Sequence, residues 1–210
     1  MIELLRHFLP ELLAGFLVNL EVAFGAVMVG LAVGLPMALL RDRLPGSQRI
    51  VWPCVRLMQA APTYVIMYFM LSMLPRDISL FGFHTAGLAA VILAQSVYLA
   101  SYIADNGYRA LEHLHRNERE HALLFLPNLL RGFFVVVMSS GFGAAIGVSE
   151  AVSVTMREAE RLHTVGPRIL LFVVAIALFV AMFGGANVVI RYLVRRLSRR
   201  RRILAPKRVN

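Results

Sequence analysis

Apolar residues run almost unbroken from Leu12 to Leu40, and only Asn19 and Glu21 interrupt them strongly. The run closes on a charged turn, Arg41-Asp42-Arg43-Leu44-Pro45-Gly46. Four further runs follow: Leu57–Leu74, Ala86–Ala104, Leu129–Val148 with Arg131 near its start, and Ile169–Ile190. A helix needs about 20 apolar residues to cross the hydrocarbon of a bilayer. The pattern therefore predicts an all-α integral membrane protein with about five transmembrane helices. Glycines 15, 25, 30 and 34 fall on or near one face of the first run and would let another helix approach closely. Glycines 141, 143 and 147 make the second half of the fourth run a poor simple span.

Composition agrees with this pattern. Hydrophobic residues make up 59% of the 210 and charged residues 16%, against about 25% charged in an average soluble domain. The net charge of +10 is concentrated: 21 of the 22 basic residues are Arg, and nine basic residues lie between Arg191 and Arg208. Such a cluster after an apolar span reads as a cytoplasmic flank in contact with lipid headgroups, so no nucleic-acid partner is expected. Basic residues number four in 41–56, three in 105–128 and nine in 191–210, against one, one and three in 1–11, 75–85 and 149–168. This asymmetry predicts an N-out, C-in orientation. Cys54 is the single cysteine, so no internal disulfide forms. Residues 1–11 carry Glu3, Arg6 and Glu11 and contain no short apolar stretch ending in a small-residue cleavage site, so a cleaved signal is not expected. No repeat, soluble domain or low-complexity linker is visible. The chain reads as one transmembrane domain, 1–210, with its core over 12–200 and a basic tail over 191–210.

Leu13-Ala14-Gly15-Phe16-Leu17-Val18-Asn19-Leu20 opens a span that ends Gly30-Leu31-Ala32-Val33-Gly34-Leu35-Pro36-Met37-Ala38-Leu39-Leu40-Arg41. Val55-Arg56-Leu57-Met58-Gln59-Ala60-Ala61-Pro62 leads into Met67-Tyr68-Phe69, and Ser101-Tyr102-Ile103-Ala104-Asp105 ends the third run. Asn117-Glu118-Arg119-Glu120-His121-Ala122 follows in a polar segment. In order and spacing these are similar to the permease subunits of polar amino-acid ABC importers, the histidine/glutamate/arginine/opine type. In that family the first stretch has Thr where Asn19 stands, the second reads Arg-Gly-Thr-Pro before an apolar span, and the third ends Ala-Tyr-x-Ala-Glu. The loop then carries Gly-Gln-x-Glu-Ala-Ala. The family continues to an Ile-x-Leu-Pro about 16 to 19 residues later, whereas Leu126-Pro127 comes only seven residues after Glu120. Either Leu126 takes the usual Gly position, or Leu126-Pro127 is the later Leu-Pro element with about a dozen residues missing. The second reading fits the distance from Pro127 to Ser149–Ser153 better.

The resemblance implies a bacterial inner-membrane, multi-pass subunit that carries no cofactor itself, ATP and Mg²⁺ belonging to a partner ATPase. It implies a second permease copy, identical or not, an ATP-binding subunit and an external solute-binding protein. It assigns Asn117, Glu118, Glu120, His121 and Ala122 to the loop that docks on the ATPase, with His121 placing a larger polar ring where a methyl is usual. Glu150 and Glu21 lie nearest membrane depth and are candidates for the solute path, since a carboxylate facing lipid is costly. Gln95 and Tyr98 in the third run either line that path or make interhelical hydrogen bonds.

Other chemistry is weakly supported. His113, His115 and His121 with Glu112, Glu118 and Glu120 raise the idea of zinc. On one helix 113 and 115 face different ways, and no Cys or i,i+4 His pair is present, so no metal is expected. There is no phosphate-binding loop, nucleophile elbow or zincin signature, and the chain is not expected to be an enzyme. Two rival classes remain: a membrane subunit derived from a permease but uncoupled from ATP, and a secondary transporter driven through Glu21 or Glu150. The lack of inverted repeats weighs against the latter.

Overall fold

The structure, a computed structural model, describes residues 2–44, 46–75 and 85–204, with side chains described as far as Arg196. The expected outer segment 75–85, apart from Pro75 and Thr85, and the last six residues of the basic tail lie outside the described residues. All regular structure among the described residues is helical.

The elements are α1 (Ile2–Arg43), α2 (Gln48–Ala60), α3 (Thr63–Met73), α4 (Ala86–His115), α5 (Arg119–Ala122) and α6 (Phe125–Ser139). A 3₁₀ stretch (Ser140–Ile146), α7 (Ala151–Glu160) and α8 (Val165–Leu204) complete the chain. Four segments are long and apolar enough to cross a membrane: Ile2–Arg43, Ala86–His115, Arg119–Ile146 and Val165–Arg196. The expected second span departs from this form. Residues 57–74 do not make one straight helix, because α2 and α3 meet at 92°. The cause is local. Pro62 disfavours a helical residue before it, and Ala61 is extended at φ −71°, ψ 125°. Leu57 to Ala60 therefore belong to the transverse α2, and α3 alone, at about 16 Å, covers roughly half the hydrocarbon thickness.

Contacts between helices fix their directions. Gly25 meets Ile92, Gly30 meets Leu99, Gly34 meets Ile103 and Gly107 meets Ala38, so positions advance together and α1 and α4 are parallel. The residues after α1 must then return to its starting end before α4 begins. The bent α2–α3 pair runs in that direction, with Val51 and Val55 beside Ala104 and Met67 beside Val91 and Ile92, and counted as one span it makes a fifth crossing. Along α6 the order reverses: Asn128 meets Asn106, and Gly132 meets Leu99 and Tyr102, so α6 is antiparallel to α4. Phe16 stacks edge-on against Phe179, and Phe8 and Leu12 pack with Leu171 and Ala175, so α8 runs parallel to α1. The two ends of the described chain therefore lie at opposite ends of the bundle, as five crossings require.

The α1–α4 seam is the tightest contact. A Cβ at Gly34 would lie 2.5 Å from the carbonyl oxygen of Ala100. Without a hydrophobic force between helices in lipid, close packing of small residues supplies much of the association. α8 lies at the periphery, and Ile169, Val173, Ile176 and Val180 leave a broad apolar surface exposed. The fourth run also breaks where its glycines predict: α6 gives way to the 3₁₀ stretch at Ser140, and Gly147 (φ 83°) turns the chain out of it. The expected loop 149–168 instead contains α7, a short helix wedged between α1 and α8.

Candidate functional site

Two sites emerge, one at each end of the bundle. The first joins three segments far apart in sequence. Asn19, Ser140 and Glu150 are fully buried or nearly so. The Asn19 amide donates to the Ser140 hydroxyl (2.8 Å) and to Glu150 Oε2 (3.0 Å), while its carbonyl accepts from the Ala151 N–H (3.1 Å). Glu150 caps α7, accepting from the N–H groups of Val152 (2.9 Å) and Ser153 (2.8 Å). A carboxylate at a helix N-terminus meets otherwise unpartnered N–H groups and the positive end of the dipole. Gly15 makes room for this joint, since a Cβ there would lie 2.9 Å from the Ala151 nitrogen. Beside it opens a cleft of about 520 Å³ lined by Glu11, Gly15, Ser149, Arg157 and Arg161.

The other expected path residues are placed differently. Glu21 is exposed on α1, away from this joint. Gln95 is buried, and its side chain makes no hydrogen bond to the described residues. Tyr98 is half-buried and stacks on Tyr102, with ring centroids 6.1 Å apart. Glu150, Glu21, Gln95 and Tyr98 are thus not brought into one constellation. In the sequence Asn19 stands out as an interruption of the first run and as the residue at the family's usual Thr position. Its pairing with Glu150 had one signal, namely that these are two strongly polar residues in otherwise apolar surroundings.

The second site lies where α1 and α4 end. Arg41 pairs with Asp105 at 3.0 Å and stacks over the Tyr108 ring, and His115 lies 3.4 Å from Asp42. Asn117 takes a left-handed conformation (φ 60°), which Asn tolerates better than most residues. Two hydrogen bonds close the reversal: Glu118 N–H to the His113 carbonyl (2.8 Å) and Asn117 N–H to the Leu114 carbonyl (3.0 Å). This arrangement satisfies carbonyls that a helix end leaves free. The four residues of α5 follow at once, and Ala122 is buried. The reversal brings His113 Nδ1 to 2.8 Å from Glu118 Oε2 and stacks the His113 and His121 rings at 5.1 Å. The hydrogen bond with His113 is the main reason that the Glu118 carboxyl titrates below its ordinary range. An apolar groove of about 490 Å³, lined by Leu35, Leu39, Leu111, Leu114 and Leu123, runs beside α5. The expected loop residues Asn117, Glu118, Glu120, His121 and Ala122 therefore share one compact turn at one end of the bundle.

No known family profile matches the chain, and no curated protein sequence does. Solved structures do. The chain is similar to one in a crystal structure of an amino acid ABC transporter with histidines, at a TM-score of 0.71 and 18% identity, over 91% of this chain and 96% of that one. It is also similar to chains in two structures of inward facing conformations of the MetNI methionine ABC transporter. Those matches have TM-scores of 0.63 and 0.64 at 18% identity, each covering 87% of this chain and 95% and 96% of theirs. The fold of this chain is therefore the multi-pass helical fold of these ABC transporter chains.

Proposed function

We propose that this chain is the membrane-spanning permease subunit of an ABC importer for polar amino acids or related small solutes. The observation that carries the reading is a fold match over nearly the full length of both chains, with an amino acid transporter among the matches. In this reading α5 contacts a separate ATP-binding subunit, which holds ATP and Mg²⁺, and a second permease completes the pathway. An external solute-binding protein delivers the solute to the end of the bundle that holds α7. Import works by alternating access: ATP-driven closure of the ATPases moves the loops and favours one packing of the spans over the other. The cleft beside Glu150 suits a zwitterion, because Glu11 and the pair Arg157 and Arg161 supply both signs of charge along its wall.

A single-cysteine crosslinking scan through residues 116–123 against the co-purified ATPase, in a Cys54→Ser background, tests the assignment. Crosslinks at 118–122 are expected. Crosslinks confined to other segments, or purification without an ATPase, would overturn it. A second reading, a membrane subunit uncoupled from ATP, draws support from one feature: α5 is only four residues long and α6 begins three residues after it. ATPase activity unchanged by the joint replacement Glu120→Ala/His121→Ala would favour that reading.

A further inference from the structure

The polar turn after α4 contains a donor set that shares Glu118 and His121 with the proposed docking loop and adds His113 from the end of α4. His113, Glu118 and His121 each offer one ligand atom, and these atoms all lie within 4.8 Å of one another. Glu118 Oε2 is 2.8 Å from His113 Nδ1 and 3.8 Å from His121 Nδ1. Three ligands of a tetrahedral zinc ion, bound at about 2.0–2.2 Å, sit roughly 3.3 Å from each other. The 2.8 and 3.8 Å separations bracket that spacing.

The backbone that carries them is already fixed. The left-handed Asn117 and the two reversal bonds hold Glu118 against the last turn of α4, and the first turn of α5 closes on the Glu118 carbonyl. Side-chain exposures of 36% for His113, 45% for Glu118 and 37% for His121 leave an ion a way in and a position open for water. Arg116 is the cation that acts on Glu118 from nearby, and its guanidinium is bound to Glu112 at 2.7 Å. His115 is not part of the group, since it points to Asp42.

We propose that His113, Glu118 and His121 bind a divalent zinc-type cation, with water in the remaining position, and that the bound ion clamps α5 to the end of α4. Two imidazoles and one carboxylate form a donor set that suits zinc and leaves its coordination open. The proposal is independent of the transporter reading, because its test is equilibrium binding to this chain alone.

The test is Zn²⁺ titration of the full chain, purified in detergent with its affinity tag removed, in competition with a chromophoric chelator. About one Zn²⁺ per chain is expected. His113→Ala, Glu118→Gln and His121→Ala should each weaken binding at least about tenfold, while His115→Ala should not change it. Hydrogen exchange of residues 116–122 should slow when Zn²⁺ is added to the parent chain and stay unchanged in Glu118→Gln. No Zn²⁺ binding, equal binding by all three variants, or an equal loss in His115→Ala would overturn the proposal and leave the group as a hydrogen-bonded ion pair with a stacked ring.

Discussion

Replacing Gly34 with alanine tests whether close helix approach holds this bundle together. The added methyl would lie 2.5 Å from the Ala100 carbonyl oxygen and 2.9 Å from Ile103 Cβ. The first neighbour is backbone, so no side-chain rotation relieves the clash, and α1 and α4 must separate. Overpacking of this kind costs about 1–3 kcal/mol. Alanine has an intrinsic helix advantage of roughly 1 kcal/mol over glycine, but separated helices in a micelle stay helical, so most of it cancels. The expected net loss is about 1–3 kcal/mol. The other glycines grade the effect. At Gly15 and Gly30 the added carbon would meet atoms at 2.9 Å, whereas at Gly25 its neighbours are the side-chain atoms of Ile92 at 3.1 Å and beyond. Gly184 has nothing within 4 Å, so Gly184→Ala should change stability by less than about 0.5 kcal/mol. Unfolding in mixed micelles with increasing SDS, followed by circular dichroism, measures the series. The reasoning is refuted if Gly34→Ala matches the parent, or if Gly184→Ala costs as much.

Three further outcomes follow from the same contacts. Asn19→Ala leaves the Ala151 N–H without a partner in a buried site and removes one of the two donors to Glu150 Oε2, and in the same titration it should cost about 1–3 kcal/mol. Asn117→Gly should be neutral or slightly stabilising, whereas Asn117→Val, forced left-handed, should lose about 1–2 kcal/mol and weaken Zn²⁺ binding with it. Cysteines introduced at Arg43 and Arg116 in a Cys54→Ser background should label from the same side of sealed vesicles, and a cysteine at Glu160 from the other, because α7 runs toward the starting end of α1. The N-out reading requires that shared side to be the cytoplasm.

Much of the fold was legible because lipid imposes a simple rule. Backbone groups must be satisfied within each span, so a span appears as a long apolar run. Four of the five runs correspond to helices by that rule. The second did not, because hydropathy cannot see a bend: Ala61-Pro62 lies inside a stretch that is apolar on both sides, and only the backbone restriction at Pro62 separates α2 from α3. The third apolar run ends at Ala104, yet α4 continues to His115, because past the apolar part its polar residues are paired off, Asp105 with Arg41 and Asn106 with Asn128. α7 is invisible to hydropathy for a different reason. Its ten residues carry charge on one side and pack Ala151, Val154 and Ala159 on the other, a pattern too short to stand out from a loop.

The two sites differ in how far sequence could reach them. Glu150 was singled out as a costly charge near membrane depth, and the physical rule behind that choice is met, since the carboxylate is buried and takes three hydrogen bonds. What the rule could not supply is the partner, because Asn19 lies 131 positions away and nothing local links the two. At the α4–α5 turn the reverse holds. Every residue lies within nine positions, yet the argument from helical spacing treats the segment as one helix, where an i,i+4 pair is the test for shared faces. That test correctly separates His113 from His115, which turn to Glu118 and Asp42 respectively. It says nothing about His121, because the left-handed Asn117 ends the helix between them and folds the chain back. A single backbone dihedral angle thus decides whether the histidines of this segment are scattered or convergent. Spacing rules hold only within an unbroken element, so a reversal residue must be located before histidines on either side of it are judged to face apart.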